Sequence, residues 1–137
     1  MTQESILVVA AHPDDEVLGC GGTIAKHTQS GDKVHILIIA EGLTSRQKKQ
    51  DVKKIEKGLK TLQKNSSKAA QALGAEEPHF FGFPDNRLDS INLLDIIKPI
   101  ENIVKEIRPD SIYVHHGGDL NIDHQIVNRA VITACRP

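Results

Sequence analysis

Residues 6–27 read ILVVAAHPDDEVLGCGGTIAKH, and this stretch decides the fold. Its first five residues, Ile6, Leu7, Val8, Val9 and Ala10, form an unbroken apolar run. A strand buried on both faces of a parallel sheet has that character, whereas a half-exposed strand alternates. From Glu16 to Gln29 the pattern is helical, with Asp14 or Asp15 placed to cap it and Gly31 just past its end. Between strand and helix stand His12, Pro13, Asp14, Asp15 and Glu16, a concentration of ligands and acids with no packing purpose. The turn is expected to be a metal site.

Outward from this stretch the chain repeats the same alternation. Residues Asp32 to Ala40 hold a second buried strand around Val34, Ile36, Leu37, Ile38 and Ile39, followed by a polar loop from Glu41 to Arg46. From Gln47 to Leu73, Val52, Ile55, Leu59, Leu62, Ala69, Ala70 and Leu73 recur at helical steps, with a break expected at Asn65-Ser66-Ser67. The lysines of that segment, Lys48, Lys49, Lys53, Lys54, Lys57, Lys60, Lys64 and Lys68, read as a solvated face. A short third strand at His79 to Phe81 runs into a turn-rich loop, Gly82 to Arg87. Leu93 to Ile107 is again helical, and Pro99 predicts a first-turn position or a kink. Ser111 to His115 makes a fourth strand, and a last helix covers Gln125 to Ala134.

Four strands alternating with helices give an α/β, Rossmann-like three-layer sandwich with a mostly parallel sheet and right-handed crossovers. In the strand order 3-2-1-4 the crossover direction reverses between strands one and four, and ligands bind such sheets at the strands' carboxyl ends at that reversal. The second polar cluster, His115 to His124, follows strand four just as His12 to Glu16 follows strand one. The two clusters are therefore expected to meet.

Composition narrows the alternatives. The 137 residues fit one domain, residues 1–137, and 39% hydrophobic residues suffice for one core. Lys and Arg number 17 against 18 Asp and Glu, and with three Phe, one Tyr and no Trp the chain lacks both the charge and the stacking platforms of a nucleic-acid partner. The start MTQESILVVA has neither the basic region nor the apolar length of a leader or a membrane span, so a cytoplasmic location is expected. Cys20 and Cys135 make no disulfide framework or zinc knuckle, and Cys20 reads as a small packing residue among glycines.

A catalytic zinc ion takes three nitrogen or oxygen ligands and leaves a position for water. His12, Asp15 and His124 make such a two-histidine, one-carboxylate set, and another divalent transition metal would also fit it. Asp14 is then left to face the ion's water as general base. His115 and His116 end the fourth strand and remain open as site residues, while His27, His35 and His79 read as structural. A nucleotide-binding alternative rests on Gly19, Gly21 and Gly22 with Glu41 as a ribose acid. Its pattern fails, because the first glycine comes nine residues after strand one and Ile24 stands where the last glycine belongs. Close helix packing is the better expectation for these glycines.

Ala11-His12-Pro13-Asp14-Asp15-Glu16, then Leu18-Gly19-Cys20-Gly21-Gly22-Thr23, and finally Asp119-Leu120-Asn121-Ile122-Asp123-His124 resemble the LmbE/PIG-L family of zinc-dependent deacetylases. Phe81-Gly82-Phe83-Pro84-Asp85 is similar to that family's loop after its third strand. The resemblance implies removal of an N-acetyl group from an N-acetylglucosamine-type sugar conjugate by attack of a zinc-bound water, with His12, Asp15 and His124 as ligands and Asp14 as base. It also implies that Arg46 and Asp85 lie on the same face as sugar contacts.

Two departures accompany the resemblance. Asn121 stands where many members carry a histidine; it can donate a hydrogen bond to the substrate but is no acid, which leaves protonated Asp14, His115 or His116 to supply a proton. Family proteins also usually continue past this point, so residues 1–137 correspond to the metal-binding N-terminal part of the family's domain, with a non-catalytic metal-binding remnant as the competing expectation. Oligomeric state is not legible from the sequence.

Overall fold

A computed structural model describes residues 2–46 and 52–137. Its four strands are β1 (Ser5–Ala10), β2 (Lys33–Ala40), β3 (His79–Phe83) and β4 (Ser111–Val114), and its helices are α1 (Asp15–Gln29), α2 (Val52–Leu73), α3 (Leu93–Ile107) and α4 (Ile122–Ala134). The sheet order is β3-β2-β1-β4, every pairing parallel, as the alternation of elements requires. Strand β1 is central, flanked by β2 and β4, and the crossover reverses there.

The apolar runs are continuous because both faces of the sheet are covered. Leu7, Val9, Leu37 and Ile39 point to one side, where Ile96, Ile97 and Ile100 of α3 and Val127, Ala130 and Val131 of α4 bury them. Ile6, Val8, Val34, Ile36 and Ile38 point to the other, against Ile24 of α1 and Ala70 of α2. This period of two, hidden inside a uniformly apolar sequence, makes three layers.

Several local expectations change. Helix α2 runs without a break through Asn65-Ser66-Ser67, because Ser66 is buried on the inner face and the Ser67 hydroxyl is taken up by Glu77. Lys53, Lys54, Lys57, Lys60, Lys64 and Lys68 are exposed along it, whereas Gln47, Lys48 and Lys49 lie outside the described residues. Pro99 sits in the interior of α3 rather than in its first turn. Strand β3 extends to Phe83 through a register shift against β2, with Gly82 at φ 72 allowing the irregular backbone. Helix α4 begins at Ile122, three residues before the expected start, because the Asn121 side chain caps it by accepting from the amides of Asp123 and His124. The glycines of α1 are not explained by close packing: a Cβ at Gly19 or Gly22 would meet nothing within 4 Å, and one at Gly21 only Val17 at 3.7 Å. We find no packing reason for them.

Candidate metal centre

The turns after β1 and β4 meet at the carboxyl edge of the sheet. The amide of Ala11, at the end of β1, donates to His115 Nε2 at 2.9 Å, which ties the two strand ends together. One oxygen, Asp15 Oδ2, then lies 3.2 Å from His12 Nδ1 and 3.1 Å from His124 Nε2. His12, Asp15 and His124 thus bring two ring nitrogens and a carboxylate oxygen within 4.8 Å of one another. Asp15 stands at the first position of α1 and His124 in the first turn of α4, so two helix starts deliver the converging side chains.

The far nitrogen of each histidine is held by another carboxylate. His12 Nε2 donates to Asp123 Oδ2 at 2.9 Å and His124 Nδ1 to Asp119 Oδ2 at 2.9 Å. Such carboxylate–histidine pairs fix the tautomer and ring plane of a metal ligand and raise its basicity, and here they leave Nδ1 of His12 and Nε2 of His124 available to a metal ion. The donor set fits a divalent transition metal.

Of the supporting acids, Asp123 and Asp119 carry no role read from the sequence, and Asp85 carries a different one. Asp123, 0% exposed, also accepts from the amides of Asn86 and Leu88, at 2.8 and 3.1 Å. Asp85, 3% exposed, is placed behind His12, 3.3 Å from Nε2, with its oxygens taken by the Ser45 amide and hydroxyl and by Asn86 Nδ2. The contacts its carboxylate makes are thus with Ser45, Asn86 and His12. Nothing in linear spacing distinguishes a ligand Asp from the Asp that orients a ligand, and only the fold does so.

Asn121 is occupied as the N-cap of α4, with its Nδ2 directed to Asn86 Oδ1 at 3.4 Å. Of the two open histidines, His115 joins the centre: its ring stacks on His124 at 3.8 Å and its Nε2 lies 3.6 Å from Asp15. His116 is exposed and accepts from the Gly118 amide instead. Glu41 is spent locally, taking the amides of Leu43, Thr44 and Asp85 and the Thr44 hydroxyl, so it offers no ribose acceptor. His27 bridges Asp32 and Tyr113 as a structural tie. A surface cavity of about 970 Å³ lies at that opposite end of the sheet, lined by Glu4, His27, Asp32 and Tyr113, away from the ligand-bearing turns.

The electrostatics divide the neighbouring acids. Burial works to lower the pKa of His12, but its hydrogen bonds to Asp123 and Asp15 and their charges outweigh that and push it up to about 10. Burial likewise opposes ionisation of Asp15, yet its bonds to His12 and the charge of His124 hold it below the usual carboxylate range. Asp14 moves the other way: burial and the charge of Asp15 raise it, against the pull of His12 and Arg46. Burial, then the proximity of His124, lowers the pKa of His115 and keeps its ring neutral. The two adjacent aspartates are thus shifted in opposite directions.

Residues 7–135 match the PIG-L family, described as GlcNAc-PI de-N-acetylase. The chain belongs to this family. It is 32% identical over 139 residues to YaiS of Escherichia coli, named an uncharacterized deacetylase, covering 98% of this chain and 69% of that protein. It is 31% identical over 136 residues to a probable N-acetyl-α-D-glucosaminyl L-malate deacetylase 2 of Bacillus cereus, covering 96% of this chain and 61% of that one. Among solved structures, the N,N'-diacetylchitobiose deacetylase of Pyrococcus horikoshii superposes with a TM-score of 0.82 at 21% identity, over 96% of this chain and 49% of its own, and confirms the fold. The chain therefore spans about half to two thirds of the length of these proteins.

Proposed function

We propose that this chain carries the metal centre of a hydrolase that removes the N-acetyl group from an N-acetylglucosamine-type amino-sugar conjugate. The observation that carries this reading is the pair of histidines sharing Asp15 Oδ2, each oriented by its own carboxylate, with an uncoordinated aspartate beside them. A divalent ion held by His12, Asp15 and His124, zinc by preference, supplies a Lewis acid that acidifies water and polarises the amide carbonyl.

The chain's own residues manage the protons. Asp14, with its raised pKa, takes a proton from the water that attacks the carbonyl carbon. As the C–N bond breaks, the same carboxylic acid returns the proton to the departing amine, and acetate and the free amino sugar result. His115 is a poor alternative acid, because its Nε2 accepts from Ala11 and its burial keeps it neutral. Arg46, exposed and close enough to lower the pKa of Asp14, is the sugar contact we favour. Asp85 and Asn121 also serve this reading by holding His12 and capping α4, and the second N–H of the Asn121 side-chain amide, beside the one given to Asn86, is offered to a sugar hydroxyl.

The expected partner is a small amino-sugar conjugate, and two free cysteines support a reducing, cytoplasmic setting. Among the described residues no helix is long and apolar enough to cross a membrane. Metal analysis combined with acetate release from N-acetylglucosamine conjugates tests the proposal. Turnover that falls roughly 10²- to 10⁴-fold in Asp14→Asn, at unchanged metal content, supports it. Bound metal with no turnover in the unaltered chain favours the non-catalytic remnant.

A further inference from the structure

Glu16 is the buried acid that the proposed chemistry leaves without a task. It is 2% exposed, at the second position of α1, and among the described residues no lysine or arginine pairs with it. Burying a carboxylate is costly unless its oxygens are hydrogen-bonded. The partner here is the backbone: Glu16 Oε2 accepts from the amide of Asp14 at 2.9 Å.

Asp14 is itself unusual. It occupies the N-cap position of α1 with φ 147 and ψ −28, in the positive-φ region that side chains other than glycine rarely adopt, and its carboxylate makes no cap hydrogen bond. An ordinary N-cap aspartate is extended and turns its carboxylate onto the helix's first amides. In this turn the Asp14 carbonyl still accepts from the amides of Val17 and Leu18, at 3.1 and 2.9 Å, so the helix opens normally while the side chain stays out of the cap.

We propose that Glu16 is a positioning residue. By gripping the Asp14 amide from inside the fold, it holds the strained backbone that presents the Asp14 carboxylate to the metal centre instead of to the helix N-terminus. The inference rests on the reading of Asp14 as general base. It assigns Glu16 no contact with substrate or metal.

The test is a cycle of variants with three readouts. In Glu16→Ala, kcat for acetate release should fall roughly 10- to 100-fold, the cost of a misplaced catalytic group, with KM and metal content unchanged. Glu16→Gln, which keeps an acceptor, should restore most of that loss. In an Asp14→Asn background, Glu16→Ala should cost nothing more, because the group it positions is already gone. Independently of turnover, amide hydrogen exchange at Asp14 should be slow in the unaltered chain and in Glu16→Gln and fast in Glu16→Ala. Glu16→Met fills the same volume without an acceptor and carries the same test where Glu16→Ala does not fold. Equal losses in both backgrounds, a loss of metal in Glu16→Ala, or unchanged exchange at Asp14 overturns the proposal. If the unaltered chain releases no acetate, the functional reading fails, and the exchange measurement judges the grip of Glu16 alone.

Discussion

Asp123 holds His12 from 111 positions away in the chain, its Oδ2 accepting from His12 Nε2 at 2.9 Å. The same carboxylate takes the amides of Asn86 and Leu88. It therefore joins the turn after β1, the loop after β3 and the start of α4 at one fully buried point. A carboxyl group without contact to solvent is tolerated there because three donors converge on it.

Removing that acceptor should damage both stability and metal binding. Asp123→Ala leaves two backbone amides and an imidazole without their partner, a loss of about 3 kcal/mol in unfolding free energy by the cost of unsatisfied buried donors. Release of the His12 ring should lower metal affinity by roughly 10- to 100-fold, as for other lost ligand-orienting carboxylates. Chemical denaturation and competition with a chelator measure the two effects. Unchanged affinity in a folded Asp123→Ala protein would refute the assigned role.

The protonation of His12 sets a pH dependence of opposite sign for the metal-free and metal-loaded protein. Its pKa rises from 6.5 to about 10 on folding without metal. The charged imidazole thus stabilises the metal-free fold fully below 6.5, and that contribution is lost as the pH climbs towards 10. A metal ion needs the neutral ring, so it displaces the proton, and apparent affinity should rise by about tenfold per pH unit over that range. Calorimetry in buffers of different ionisation enthalpy should detect about one proton released from His12 per metal bound near neutral pH. No release means that His12 is not a ligand.

The sheet order and the meeting of His12, Asp15 and His124 were legible because they follow from topology: buried strands one and four must be neighbours at the crossover reversal, and each is followed at once by a polar cluster. The start of α4 was displaced because Asn121 reads as a loop residue until its carbonyl is seen capping two amides. The burial of Asp85, expected as a sugar contact, was not legible because burial of a loop acid depends on donors supplied by a distant segment, here Ser45. The unbroken α2 depended on a hydroxyl partner, Glu77, lying past the helix end. What spacing cannot show, in each case, is which donor from elsewhere in the chain will satisfy a polar group.

Gly42 makes the metal turn depend on the loop after β2. Its φ is 77, and a Cβ there would sit 2.6 Å from Pro13 Cδ. Gly42→Ala therefore incurs both left-handed backbone strain, about 1–2 kcal/mol, and a steric overlap that pushes Pro13 outward. Because Pro13 lies between His12 and Asp14, we expect weaker metal binding together with a total destabilisation of about 2–4 kcal/mol. Gly31→Ala, also at positive φ but with nothing within 4 Å of the added Cβ, is the control: it should show the strain without the loss of metal. Equal metal affinity in the two variants would separate Pro13 from the centre.

Asp14 offers the reverse experiment, a substitution that stabilises the fold while abolishing its chemistry. A non-glycine residue at φ 147 is strained. Such strain costs on the order of 1–3 kcal/mol and persists where function requires it. Glycine at this position removes the strain but adds about 0.5–1 kcal/mol of chain entropy to the unfolded state. The balance predicts that Asp14→Gly is more stable than the natural sequence by about 1 kcal/mol. Its acetate release should fall by roughly 10²- to 10⁴-fold, because no carboxylate remains to move the proton. Asp14→Asn removes the base and keeps the Cβ, so it should lose activity without gaining stability. Urea denaturation of the three proteins decides the point: if Asp14→Gly unfolds at lower denaturant than Asp14→Asn, the backbone at Asp14 stores no strain for catalysis to use.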